Sequence, residues 1–140
     1  MSRRGRTDSG SASMELVLIT PAVLVLLLLT VAGGRLVLAR ERVDASARDA
    51  ARAGTIARSA AAARADATEA ADTRLAEAGV TCRTLDVNVD VTNFRPGGTV
   101  TTTISCTVDL SDLTLLGVPG TRTITSTAVE TVDSLRGVNP

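Results

Sequence analysis

Gly10-Ser11-Ala12-Ser13-Met14-Glu15 opens the stretch that decides the fold, because the chain changes character on either side of it. Upstream lies a basic head, Arg3, Arg4 and Arg6 against the acid Asp8. Downstream, residues 16–34 carry no charged side chain and consist largely of Leu, Val, Ala and Ile. At the junction stands one carboxylate, Glu15, where a hydrocarbon layer would begin.

Length defines the apolar run. About 20 apolar residues rising 1.5 Å each cross the hydrocarbon core of a bilayer. Residues 16–39 meet that requirement if Arg35 sits at the interface. A secretory signal peptide has a shorter apolar core, roughly 7–15 residues, followed by a small-residue cleavage site. Ala32-Gly33-Gly34 is the only stretch resembling such a site. The run therefore predicts an uncleaved membrane helix. The basic head places the N-terminus in the cytoplasm and the rest of the chain outside. Arg35, Arg40 and Arg42 run against that bias, though Glu41 and Asp44 accompany them.

Glu15 needs a reason. A charged side chain costs about 2.5–3.5 kcal/mol at the centre of a membrane helix and less near its ends. One reading leaves Glu15 in the headgroup layer with no role. The other uses its spacing from Gly10. A cut after Gly10 makes Ser11 the first residue and Glu15 the fifth. The new ammonium then lies one helical turn from the carboxylate, or meets that of a neighbouring subunit, and each charge relieves the cost of the other. Gly before the cut lets a protease approach the backbone closely.

A basic leader, Gly10 at the cut, Glu15 as fifth mature residue and a leading apolar helix resemble the class III signal of type IV pilin-like proteins. The longer string Gly10-Ser11-Ala12-Ser13-Met14-Glu15-Leu16-Val17-Leu18-Ile19-Thr20-Pro21 resembles the TadE-like pilus assembly family, and Gly33-Gly34-Arg35 is similar to the end of its membrane segment. Leu16 departs from the pattern, in which Phe or Tyr is usual. The resemblance covers about the first forty residues and the Ala-rich helix beyond. It implies cleavage by a membrane-embedded prepilin peptidase. It also implies a role as minor pilin or pseudopilin in a tight-adherence (Tad) pilus, with other pilin-like subunits and the assembly platform as partners.

Composition sets limits. With 140 residues, and about forty spent on leader and membrane helix, one small outer domain is possible. The formal charge is zero, and loss of residues 1–10 leaves 12 Arg against 14 acids, a net of −2. Neither value suits a nucleic-acid partner, which requires a basic patch. The expected organisation is a cytoplasmic leader (1–10), a membrane helix (11–39), an Ala-rich helical region (40–79), an extracytoplasmic antiparallel β domain (80–133) and a tail (134–140). The fold class is α+β.

From residue 40 to 78 the chain is Ala-rich and studded with Arg, Asp and Glu, a composition that favours helix. Val43, Ala47, Ala50, Ala51, Gly54 and Ala57 fall at helical spacing and extend the membrane helix outward to about Ala57, with Gly54-Thr55 as a candidate kink. Ser59 is placed to cap a second helix ending at Ala78, with Gly79 as the residue after it. At Val80 the texture changes to Thr and Val in alternation. Leu85, Val87, Val89 and Val91 share one face of a first strand. Pro96-Gly97-Gly98 marks a turn. Val100, Thr102, Ile104, Cys106, Val108 and Leu110 form a second inward face; after a turn within residues 115–120, Ile124, Ala128 and Val132 form a third. Three strands with one apolar face, covered by helices, make a small α+β core. Phe94 is its sole aromatic.

Cys82 and Cys106 are the only cysteines, and outside a bacterial membrane they are expected to pair as a disulfide. Because they are not opposite one another about a turn at Arg95-Pro96, the hairpin is expected to be offset or bulged. With no His and no further Cys, a four-ligand zinc site is disfavoured and no cofactor or metal is expected. The usual Ser-His and Cys-His systems are absent, and no phosphate loop, zinc-protease or EF-hand spacing occurs. The acidic residues read as solvated faces, so neither an enzyme nor a small-molecule substrate is indicated. Two other functions fit the same residues: an uncleaved, single-pass membrane-anchored binding module, or a secreted protein released by cleavage near Gly34.

Overall fold

The computed structural model describes residues 9–113, 117 and 119–135, with side chains from residue 14 onward except those of 112 and 113. The leader arginines, Leu115 and residues 136–140 of the tail lie outside the described residues. One helix, α1 (Ser9–Ile56), takes up 48 residues. At 1.5 Å per residue it is about 72 Å long. Pro21 lies within it, and a proline ring carries no N–H to donate to the Val17 carbonyl. The hydroxyls of Thr20 and Thr30 donate to the carbonyls of Leu16 (2.6 Å) and Leu26 (2.8 Å), so neither is left unpaired in the apolar stretch.

After a three-residue break the chain reverses into α2 (Ala60–Glu77). Ser59 caps it in extended conformation, its hydroxyl accepting from the Ala62 N–H at 3.2 Å. At the other end Gly79 adopts φ +66, its N–H donating to the Ala76 carbonyl while that of Val80 reaches the Leu75 carbonyl, both at 3.0 Å. This is the Schellman closure expected of Gly at that position. Val80 completes it by packing on the core that contains Leu75.

The two helices meet through small side chains. Val43, Ala47, Ala50 and Ala51 of α1 and Ala63, Ala67 and Ala71 of α2 are wholly buried. The Ser46 hydroxyl, also buried, donates to the Ala71 carbonyl at 3.1 Å. α1 runs without a break through Gly54-Thr55 to Ile56. Gly54 permits close approach: a Cβ there would lie 3.0 Å from Val100 Cγ1 and 3.4 Å from the Ala63 carbonyl oxygen.

The sheet has the order β1 (Thr84–Asp90), β2 (Thr99–Asp109), β3 (Thr121–Thr131), antiparallel throughout. Its alternation follows the sequence. Leu85, Val87 and Val89 are half-buried, while Val100, Ile104, Cys106, Val108, Ile124, Ala128 and Val132 are buried under the helices. Leu110 departs from the expected strand; it begins a single helical turn, α3 (Leu110–Leu113), and is half-buried. On the outer face, paired hydroxyls tie β2 to β3: Thr103 with Thr127, Ser105 with Thr125 and Thr107 with Thr123, at 3.0–3.2 Å. The β1–β2 connection turns through Gly97 (φ +74). Its Phe94 folds inward against Val100, Val132, Ala57 and Ala63, closing the far end of the core. There the Thr92 N–H and hydroxyl hold the Asp90 carboxyl below the usual carboxylate range.

Cys82 and Cys106 form a disulfide with Cα atoms 5.3 Å apart. The expected offset or bulge is absent from the ladder: β1 and β2 pair in unbroken register about Arg95-Pro96, from Thr84↔Thr107 to Asp90↔Thr101, which sets Cys106 opposite Leu85. The offset lies before the ladder. Cys82 belongs to the segment leaving α2, and a bend at Arg83, whose N–H donates to the Thr107 carbonyl at 2.7 Å, turns it back over β2.

Thr102 is the one polar flaw among the described residues: it is wholly buried and its hydroxyl has no partner. An orphaned buried hydroxyl costs roughly 1–3 kcal/mol, so Thr102→Val should stabilise the protein by about 1 kcal/mol, read as a higher denaturant midpoint at unchanged slope. Gly54→Leu should destabilise it by about 1–3 kcal/mol in the same assay, because Val100 and the α2 backbone have nowhere to move. Reduction of the disulfide should cost about 3 kcal/mol by loop-closure entropy and lower the melting temperature of the full chain in detergent. An unchanged melting temperature with both thiols free would contradict this.

Candidate functional site

Gly10 and Ser11 occupy the first turn of α1, so the bond between them has helical backbone. The first four N–H groups of a helix have no intrahelical acceptor, which makes this turn the least costly to unwind. Ser11 and Glu15 are spaced i, i+4, the separation that brings two positions together on a helix surface. Glu15 is exposed and, among the described residues, has no ion-pair partner. Its surroundings are apolar: Met14, Leu16 and Leu18 are each more than 70% exposed.

This exposure extends along the whole apolar run. α1 is long and apolar enough to cross a membrane, and none of its apolar window is buried by the rest of the chain. Burial against the domain begins at Leu36, half-buried on the core, and is complete at Val43. Residues 14–34 therefore stand clear of the outer domain, a bare apolar rod of the kind that lipid or other apolar helices cover. One such helix near the N-terminus fits a single-pass membrane protein.

Where the rod enters the domain there is a cleft of about 400 Å³ lined by Arg35, Leu38, Arg42, Val80, Val108 and Asp109. Sequence reasoning passed over it, because its walls come from three separate stretches; the one signal was the cluster Arg35, Arg40 and Arg42 on the wrong side for the usual charge bias. The remaining charged contacts are exposed: Arg74 bridges Asp49 (2.6 Å) and Glu77 (3.3 Å) across the helix pair, and Arg83 meets Asp109 at 3.5 Å. The Cys82–Cys106 bridge sits on the sheet, so the structure brings Gly10, Ser11 and Glu15 together on one helix end and keeps the cysteines in the domain. Among the described residues no group of three His, Cys, Asp or Glu side chains is gathered as metal ligands would be.

No curated protein and no solved structure matches the chain. The TadE-like protein family matches residues 10–52, from Gly10 through the exposed rod to the buried alanines of α1. That family is one of structural and assembly proteins, and the match, with the single apolar helix it covers, is consistent with a TadE-like pilus assembly protein.

Proposed function

We propose that this protein is a minor pilin or pseudopilin that acts in assembly of a Tad-type, type IV-like pilus, and that a prepilin peptidase matures it by cutting after Gly10. The observation that carries this reading is the family match itself, which begins at Gly10 and coincides with one uninterrupted helix. The N-terminus is cytoplasmic and the sheet domain extracytoplasmic, in keeping with Arg3, Arg4 and Arg6 before the span.

The chemistry is sequential. The peptidase unwinds the first turn of α1 at the small residues Gly10 and Ser11 and hydrolyses the bond between them. The released basic decapeptide takes with it the charges that held the N-terminus at the cytoplasmic face. The Ser11 ammonium then neutralises Glu15, of its own chain or of a neighbouring subunit, and the bare rod packs among other pilin-like helices. An unpaired Glu15 resists that burial; a paired one directs it.

N-terminal sequencing of the mature protein should begin at Ser11. Gly10→Leu should leave the leader attached. Glu15→Ala should be cleaved nearly as well as the parent chain yet fail to support normal pilus assembly. A mature terminus at Met1 or near Arg35 would overturn the processing step, and normal piliation by Glu15→Ala would overturn the role given to the carboxylate.

A further inference from the structure

The junction cleft is not used by processing or by helix packing. Arg35 and Arg42 are seven residues apart on α1, two turns, and so share one face. Leu38 lies between them, and Val80 and Val108 form the opposite wall. Neither arginine has an ion-pair partner among the described residues. The acid of the cleft, Asp109, is met by Arg83 from outside it. The result is two guanidinium groups without an ion-pair partner among the described residues, beside Leu38, Val80 and Val108 and with Thr81 and Asp109 in the same lining.

The depth of the cleft identifies what can fill it. The uncharged residues 16–34 rise about 28 Å, close to the roughly 30 Å hydrocarbon core, so Arg35 emerges at its edge. Arg42 stands about 10 Å further out, and the headgroup layer adds roughly 5–8 Å on each side. The cleft therefore spans the headgroup layer. Guanidinium groups bind phosphate through paired N–H donors, and they do so best where water is partly excluded. Basic residues on this side of the span also oppose the usual topological bias, a cost that an anionic headgroup offsets.

We propose that the cleft is a binding site for an anionic phospholipid of the leaflet next to the outer domain. Arg35 and Arg42 hold the phosphate, Leu38 and Val80 cover the glycerol, and Asp109 at the rim accepts from a headgroup hydroxyl. A lipid held there ties the foot of the domain to the bilayer and fixes how far α1 protrudes. The proposal rests on the membrane reading of α1 and not on cleavage at Gly10.

The test uses the full chain in mild detergent, offered equal amounts of phosphatidylglycerol and phosphatidylcholine and examined by native mass spectrometry. Phosphatidylglycerol adducts should predominate. The double variant Arg35→Gln/Arg42→Gln should lose about fivefold or more of that adduct, as removal of charge-assisted phosphate contacts requires. Arg40→Gln, an exposed arginine outside the cleft, should keep it. Circular dichroism and the intact-disulfide mass report on folding of each variant. Equal adducts of the two lipids, or an equal loss in Arg40→Gln, would overturn the site. Displacement of the lipid by excess inorganic phosphate would overturn its assignment to a lipid. Release of the chain from vesicles by an alkaline wash would instead overturn the membrane reading beneath it.

Discussion

Because α1 is unbroken from Ser9 to Ile56, its two halves cannot be positioned independently. The inner half is bare and apolar; the outer half is the central element of the domain, buried against α2, β2 and β3. From Glu15 to Ile56 is about 60 Å of continuous helix. A rotation or vertical shift of the rod in the membrane is thus carried whole into the sheet, and whatever holds the domain in place also sets the depth of Glu15. The exposed end and the packed end belong to one continuous helix.

The packed end is assembled from unusually small side chains. Alanine favours helix, but its methyl group buries little area, so the α1–α2 contact gains its stability from closeness. Gly54 is where closeness matters most, since Val100 and the α2 backbone occupy the place a side chain would take. The sheet adds Val and Ile, and one ring, Phe94, plugs the open end. A core so modest tolerates few defects. This gives weight to the Cys82–Cys106 bridge, which pins the segment leaving α2 onto the central strand, and to the orphaned hydroxyl of Thr102.

The local elements were legible because local chemistry decides them. Ser59 and Gly79 delimit α2 through their own hydrogen bonds and backbone preference, and the strand faces follow from alternation with period two. Three features were not legible. Gly54 admits a close neighbour, and that neighbour is Val100, some forty-five residues away. The cysteine spacing reads as an offset or bulged hairpin, because it does not reveal that Cys82 lies outside the ladder. Leu110 continues the alternation by type, but its N–H bonds to the Gly120 carbonyl just as the chain coils into α3. Gly10, Ser11 and Glu15 form a linear pattern that the sequence displays directly, whereas the arginine cleft exists only after three segments meet.

Among the described residues the outer edge of β3 pairs with no strand, and a membrane anchor on α1 has a consequence for it. Val132 donates to the Gly98 carbonyl and Gly120 accepts from Leu110, so even-numbered residues of β3 turn their backbone groups to β2 and odd-numbered ones turn theirs outward. An open edge of 11 residues with no proline, and only Arg122 and Glu130 charged, invites pairing between copies. Those two residues even lie symmetrically about Ser126, so an antiparallel pair of β3 strands would set each Arg122 opposite a Glu130. Such a pair is related by a two-fold axis perpendicular to the sheet, which reverses every direction in its plane. α1 runs along β3, with Arg35 and Arg42 near Val108 at one end and Ala57 near Val132 at the other, so it would be reversed as well. Two copies anchored in one bilayer have parallel rods and cannot meet in this way. A membrane-spanning α1 thus protects the edge by geometry, as charges, prolines and bulges do in soluble sheets, under the proposed single-pass reading.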